Sequence, residues 1–367
     1  RKYTTKLKLK NLRLLNFKNH LDSSWEFNDR VNCFVGDNGS GKTNILDAIY
    51  YLSLTKSYFN SSDSTSINFN SEYFTIKGSF IRENSFSNIV CNVKDGFPKS
   101  VKNNDKKYKR FSDHIGNYPV VFVSPTDTSL ITEHSDSRRK YLDSGISQFN
   151  NFYLRTLISY NKTIKQRNEL LKHFLLINTF DKTTLSTYNE LLIKYGSIIF
   201  SERKKYLEKF VPVFQKYYTE ISSGKEKVDI EYKSQLNENH YLTQLNNSLK
   251  QDKISCRTSV GIHKDDLLFT LKGSSVKKYS SQGQQKSFLI SLKLAQFDFL
   301  KEELGLKPIL LLDDIFDKLD DKRVESLISL VKRGTFNQVF ITDTSKERSE
   351  EILKKTSSEY SIFNIQN

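Results

Sequence analysis

The segment Gly36-Asp37-Asn38-Gly39-Ser40-Gly41-Lys42-Thr43 constrains this chain more than any other feature. It fits the pattern GxxxxGK[ST], and its surroundings have the order that pattern needs. The apolar run Val31–Val35 before it predicts a strand, and Asn44–Leu54 after it predicts a helix. Glycines at these spacings let backbone N–H groups curl around phosphate oxygens, where a Cβ would obstruct them. The start of the following helix adds a positive partial charge. In such a loop Lys42 reaches the β- and γ-phosphates of a nucleotide, and Thr43 offers its hydroxyl to Mg²⁺. Residues Gly36 to Thr43 are therefore read as the nucleotide cradle.

A second constraint lies far along the chain. Ile309-Leu310-Leu311-Leu312-Asp313-Asp314 runs through four aliphatic residues into two carboxylates. A continuously apolar strand is the mark of a parallel strand buried on both faces. Carboxylates at its end emerge where α/β sheets bind ligands. Asp313 is read as the Mg²⁺ holder, directly or through water, and Asp314 as the general base on an attacking water. A pair of helix-capping acids after a core strand is the plainer alternative for this segment taken alone.

Between these two motifs the periodicity changes. Residues 7–35 predict two or three strands, with Trp25 a core residue rather than a ligand. Short strands with turns follow over 73–125, and Asn103-Asn104-Asp105 predicts a hairpin turn. From Ser135 to about Ser222 the pattern is helical, with a kink or boundary expected at Pro212 and a turn at Ser222-Ser223-Gly224. Strands are expected again at Val228–Tyr232 and Leu267–Leu271, then a helix over Gln284–Leu304. A strand at Pro308–Leu312, a helix at Lys322–Arg333 and a last strand at Gln338–Thr342 complete the reading. The expected domains are 131–224, an inserted mainly helical arm, and 1–130 with 225–367, a mixed α/β head.

Lys and Arg number 57 against 42 Asp and Glu, a net charge of +15, which favours a polyanionic partner and nucleic acid first. Basic residues cluster at Lys99–Arg110 (with Tyr108 among them), at Arg138-Arg139-Lys140 and at Arg203-Lys204-Lys205. Such residues can contact phosphates without reading bases, or simply form solvated faces. The three cysteines are far apart, which excludes a usual zinc site or a disulfide framework and fits a reducing cytosol. No apolar run is long enough for a membrane span or a signal peptide, so the chain is expected to be cytoplasmic with no membrane partner. Met is absent throughout, the first position included, so the start reads as trimmed or altered.

Tyr279-Ser280-Ser281-Gln282-Gly283-Gln284-Gln285-Lys286 opens the helix that precedes the acidic strand. Its core is similar to the Ser-x-Gly-Gln signature of ABC ATPases. The order of phosphate loop, long insertion, signature, acidic strand and then Asp317-Lys318-Leu319-Asp320 resembles the SMC-like branch of those enzymes. Within that branch the chain resembles the RecF family in four stretches: Leu12–Asn19, Gly36–Leu52, Val123–Asp127 with Ser137–Asp143, and Ser281–Asp320. The resemblance implies an ABC-type P-loop ATPase head, with ATP and Mg²⁺ as cofactors. It implies that Ser281, Gly283 and Gln284 serve a nucleotide held by a second copy in an ATP-dependent homodimer. Lys42, Ser281 and Asp314 would then carry the chemistry. It also implies double-stranded or gapped DNA in the cleft, the mediators RecR and RecO as partners, and loading of RecA as the outcome.

The chain departs from the wider ABC pattern in three places. Ser124-Pro125-Thr126-Asp127 stands where a lid-loop Gln is usual, and Thr342-Asp343-Thr344 where a switch His is usual. Asp314 replaces a Glu and reaches one methylene less far, so hydrolysis is expected to be slow, as in a switch. A transport or translation subunit would carry the missing Gln and His, and an SMC tether would need a far longer arm. His20 is placed either near the adenine or in the core. His263-Lys264-Asp265-Asp266 reads as a loop near the signature rather than a metal or catalytic cluster.

Overall fold

The run Val31–Val35 is buried at all five positions. It lies inside a five-stranded sheet in the computed structural model, which describes residues 5–83, 85–222, 226–237, 240–315, 321–332, 334–356 and 359–366. The order is Tyr360–Asn364, Val31–Val35, Val339–Asp343, Ile309–Leu312, Val120–Val123, and every pairing is parallel. Ile309–Leu312 is likewise buried throughout, as the unbroken aliphatic run requires. Registers such as Leu312 opposite both Val123 and Ile341 bring the carboxyl ends of these strands to one edge.

A second sheet, mostly antiparallel, runs in the order Leu306–Lys307, Thr5–Phe17, Tyr73–Arg82, Ser85–Lys94, Ser100–Asn103, Lys106–Lys107, with His20–Glu26 added on Thr5–Phe17. Asn104 and Asp105 both have left-handed φ, 46° and 64°, which a two-residue hairpin turn of the primed kind demands. One apolar core joins these sheets to the helix Lys42–Leu54, with Leu9, Phe17, Phe34, Ile45, Ile76 and Leu311 among its buried members. Trp25 packs at its margin, edge-on to Phe34.

The chain divides into two compact units. The first comprises Arg1–Thr128, Lys216–Lys225 and Ser281–Asn367; the second comprises Ser129–Gln215 and Glu226–Ser280. The boundary drawn from the sequence differs, because it left 225–280 with the head. Buried ion pairs explain the difference. Arg203 of helix Lys182–Ser222 meets Asp265 at 2.9 Å, and Arg167 of helix Asn151–Leu176 meets Asp252 at 2.8 Å. All four side chains are within 1% of complete burial. They tie the helix Tyr241–Ser255 and the three-stranded sheet Ser274–Ser275, Asp266–Leu271, Val228–Lys233 to the helices of the second unit.

Pro212 marks no boundary of secondary structure. The helix Lys182–Ser222 runs through it, held on both sides by the fully buried Phe210 and Phe214. The missing backbone hydrogen bond is tolerated where packing fixes the flanks. Ser223-Gly224, Arg333 and Asp317–Asp320 lie outside the described residues.

Candidate nucleotide site

Gly36 leaves the end of Val31–Val35 and passes close to the last strand. A Cβ there would sit 2.3 Å from the Ile365 carbonyl oxygen, so only glycine fits. Gly41 has φ 98° and stands at the start of the helix Lys42–Leu54 with no side-chain cap. The first N–H groups of that helix are therefore offered to a ligand rather than to a capping oxygen. The Ser40 hydroxyl is buried and has no hydrogen-bond partner among the described residues. Lys42 folds back over the loop and donates to the carbonyls of Gly36 and Asp37, at 2.6 and 2.7 Å. Asp37, Asn38 and Gly39 form its exposed crown.

Two residues outside the motif support the loop from beneath. The Asn19 amide donates to the Ser40 carbonyl at 3.2 Å and its oxygen accepts from Asn44 at 2.7 Å. His20 is buried; its Nε2 lies 3.1 Å from the Gly41 carbonyl, and its ring meets Trp25 edge-on. Burial pushes its imidazole below the ordinary value; because a carbonyl oxygen only accepts, Nε2 is the donor to Gly41. His20 packs in the core, as one of its two readings expects, and its ring also touches the loop at Gly41. Asn19 closes the turn Lys18–Asn19 between the first two strands, and His20 opens the second of them.

Asp313 emerges at the same edge of the sheet. Its Oδ1 accepts from the Thr43 hydroxyl at 2.7 Å and from the Thr342 hydroxyl at 2.8 Å. Burial raises its pKa, against the pull of those two hydroxyls and the nearby Lys42 charge. Asp314 follows with a left-handed φ of 46°, and its amide donates to Thr342 Oγ1 at 2.9 Å. Thr342 thus fixes both acids, from the strand Val339–Asp343 next door. Its role comes from the parallel pairing of Val339–Asp343 with Ile309–Leu312, which no local pattern around Thr342 announces. Asp343 is buried beyond it and takes Ser349 and Arg348 as partners.

The residues fit a nucleotide with a divalent cation. Uncapped amides, a partnerless buried hydroxyl and an ammonium suit phosphate oxygens, while Thr43 and Asp313 present two oxygens side by side. Mg²⁺ commonly takes one or two protein oxygens and completes its shell with phosphate and water.

The signature sits on the same unit. Ser281 is exposed and caps the helix Gln282–Leu304. Its hydroxyl accepts from the Gln284 amide at 3.2 Å, and Gln284 Oε1 accepts from the Ser281 amide at 2.8 Å, a reciprocal capping box. Gly283 lies in its first turn, where no acidic residue stands.

The basic clusters separate into structural and exposed residues. Lys99 is bound to Asp63 and the Thr55 carbonyl, Arg138 to Asp266, Arg139 to the Asp265 carbonyl, and Arg203 to Asp143 and Asp265. Lys106, Lys107, Lys109 and Arg110 are exposed on and after the hairpin. His263 bonds Tyr160 and the Thr258 carbonyl, each at 2.9 Å, so the His263–Asp266 segment belongs to the polar core of the second unit.

Comparison with known proteins is in keeping with this geometry. Residues 8–108 match the family described as RecF/RecN/SMC N terminal domain. The DNA replication and repair protein RecF of Flavobacterium johnsoniae is 50% identical over 357 residues, which cover 97% of this chain and 99% of that one. The chain belongs to the RecF family. RecF of Parabacteroides distasonis is 45% identical over 98% of this chain and 97% of its own. A solved recombination mediator protein RecF of the RecFOR pathway, with ATP, has a TM-score of 0.86 at 33% identity, covering 98% of each chain. The Smc head of Pyrococcus furiosus shares the fold alone, with a TM-score of 0.56 at 17% identity. The RecF architecture here is thus an SMC-like ABC ATPase head with a helical arm. Among the described residues no helix is long and apolar enough to cross a membrane.

Proposed function

We propose that this chain is an ATP-driven, DNA-binding switch of recombinational repair. The observation that carries the reading is the meeting of Thr43, Asp313 and Thr342 beside the Gly36–Gly41 cradle, in the unit that also presents Ser281. The loop amides and Lys42 hold the phosphates of ATP, and Thr43 with Asp313 holds Mg²⁺, which neutralises charge on those phosphates. Two copies close head to tail, so that Ser281 and Gly283 of each face the γ-phosphate on the other. Closure joins two basic surfaces into a cleft for double-stranded or gapped DNA. Asp314 orients the attacking water and accepts its proton. Its short side chain keeps hydrolysis slow, and loss of the γ-phosphate reopens the pair. RecR and RecO are the expected partners in loading RecA.

Binding to a gapped duplex, followed by fluorescence anisotropy at two salt concentrations, tests this reading. Tight binding with ATP, weak binding with ADP or no nucleotide, and weakening by salt are expected. Binding that ignores the nucleotide would reject the switch.

A further inference from the structure

Lys293 lies inside the helix Gln282–Leu304, and its side chain is 4% exposed. Its ammonium stands 2.9 Å from Asp127 Oδ1, donates to the Tyr58 hydroxyl at 2.8 Å and sits over the Tyr58 ring at 5.2 Å. The Tyr58 hydroxyl donates to the same carboxylate. Asp127, equally buried, also accepts the Ser124 amide at 2.8 Å. Burying two charges costs desolvation that their attraction barely returns, and an apolar set of similar volume would often be as stable. What such a pair supplies is one fixed geometry between the elements that carry it.

Those elements lead to the nucleotide site by two routes. The Tyr58 amide donates at 2.7 Å to Asp47, a fully buried residue of the phosphate-loop helix that also takes Lys18 and Ser57, each at 2.7 Å. Ser124 follows Val120–Val123, and the Val123 carbonyl accepts the Asp313 amide at 2.9 Å. At the far end, Ser281 and Lys293 share one helix and are separated by about 18 Å along its axis. A helix transmits a shift at one point to its end as a rigid body.

We propose that Asp127, Lys293 and Tyr58 are positioning residues that couple the occupied phosphate loop to the placement of Ser281 and Gly283. Nucleotide binding in one copy thereby sets the surface that it offers to the second copy. The coupling rests on the dimer switch proposed above.

The test is the double variant Asp127→Asn/Lys293→Met, which removes both charges at similar volume, with Tyr58→Phe, which keeps the ion pair and deletes one hydroxyl. Binding of fluorescent ATP is measured on dilute protein, and ATP-dependent dimerisation by sedimentation velocity. ATP affinity within about twofold of the parent is expected, with the dimerisation midpoint raised about tenfold in the double variant and less in Tyr58→Phe. A merely structural role would lower the melting temperature and leave this split absent. Should the double variant fail to fold, Tyr58→Phe decides. Parental dimerisation in a folded variant overturns the coupling alone; a parent that does not dimerise with ATP overturns the switch and the coupling together.

Discussion

Thr43 and Asp313 stand 270 positions apart in the chain and 2.7 Å apart in space. One ends the phosphate loop and the other ends a buried parallel strand. Their meeting makes a two-oxygen site out of two motifs that are each ambiguous alone.

Asp313→Asn keeps an acceptor for Thr43 and Thr342 and removes the charge. The fold is expected to survive, with the melting temperature within a few degrees of the parent. ATP turnover should fall by about two orders of magnitude or more, the effect of losing a charged metal holder in phosphoryl transfer. Near-parental turnover would remove Asp313 from the site.

Gly41→Ala places a Cβ 2.4 Å from the Asn19 amide nitrogen and 2.8 Å from His20 Nε2, at a φ of 98°. The left-handed backbone alone costs about 1–2 kcal/mol. Calorimetry should show a lower melting temperature, and nucleotide affinity should drop because Asn19 and His20 must leave the loop. Replacing Asn19 by Ala in the same chain should restore only part of the loss. Full recovery would mean that the clash, and not the backbone, was the whole effect.

Ser281→Arg puts a long cation at an exposed helix start. ATP should still bind the monomer, while ATP-dependent dimers disappear. Ser281→Ala is the control for the cap, whose loss costs about 1 kcal/mol. Intact ATP-dependent dimers in Ser281→Arg would reject the facing arrangement.

Burial pushes the His263 imidazole down to about 4 from an ordinary value of 6.5, against the bond to the Thr258 carbonyl. The folded chain refuses a proton that the unfolded chain accepts. This ring's contribution is therefore complete above pH 6.5 and is lost as pH falls toward 4, by up to about 3 kcal/mol. Melting curves of parent and His263→Gln across that range should converge on the acid side. His20 and His114 are lowered in the same direction, so the difference between the two proteins isolates His263. Parallel curves would disprove the assignment.

Replacing Lys106, Lys107 and Lys109 together by Ala should leave stability unchanged, because all three are exposed. DNA affinity should weaken, and the slope of its logarithm against that of salt should fall by about 1 for each phosphate left without its lysine. Arg203→Ala should instead unfold the second unit, since it strands Asp143 and the buried Asp265. An unchanged salt slope in the triple variant would move the DNA surface elsewhere.

The phosphate loop, the acidic strand and the capped signature helix were legible in the residue order because each is a local device. A glycine-rich turn between an apolar strand and a helix, four aliphatics ending in acids, and Ser281 three residues before Gln284 specify their own backbone within a few residues. The parallel sheet followed from the same runs, since strands apolar on both faces need cover on both. What the residue order left open depends on contacts between distant segments. Charge says nothing of burial, so Lys99, Arg138 and Arg203 read as surface until their carboxylate partners came into place. Residues 226–280 read as head because strand patterns carry no address, and the ion pairs Arg203–Asp265 and Arg167–Asp252 placed them with the arm helices. Thr342 and His20 became site residues through neighbouring strands, whose register, and not any local pattern, sets which side chains meet.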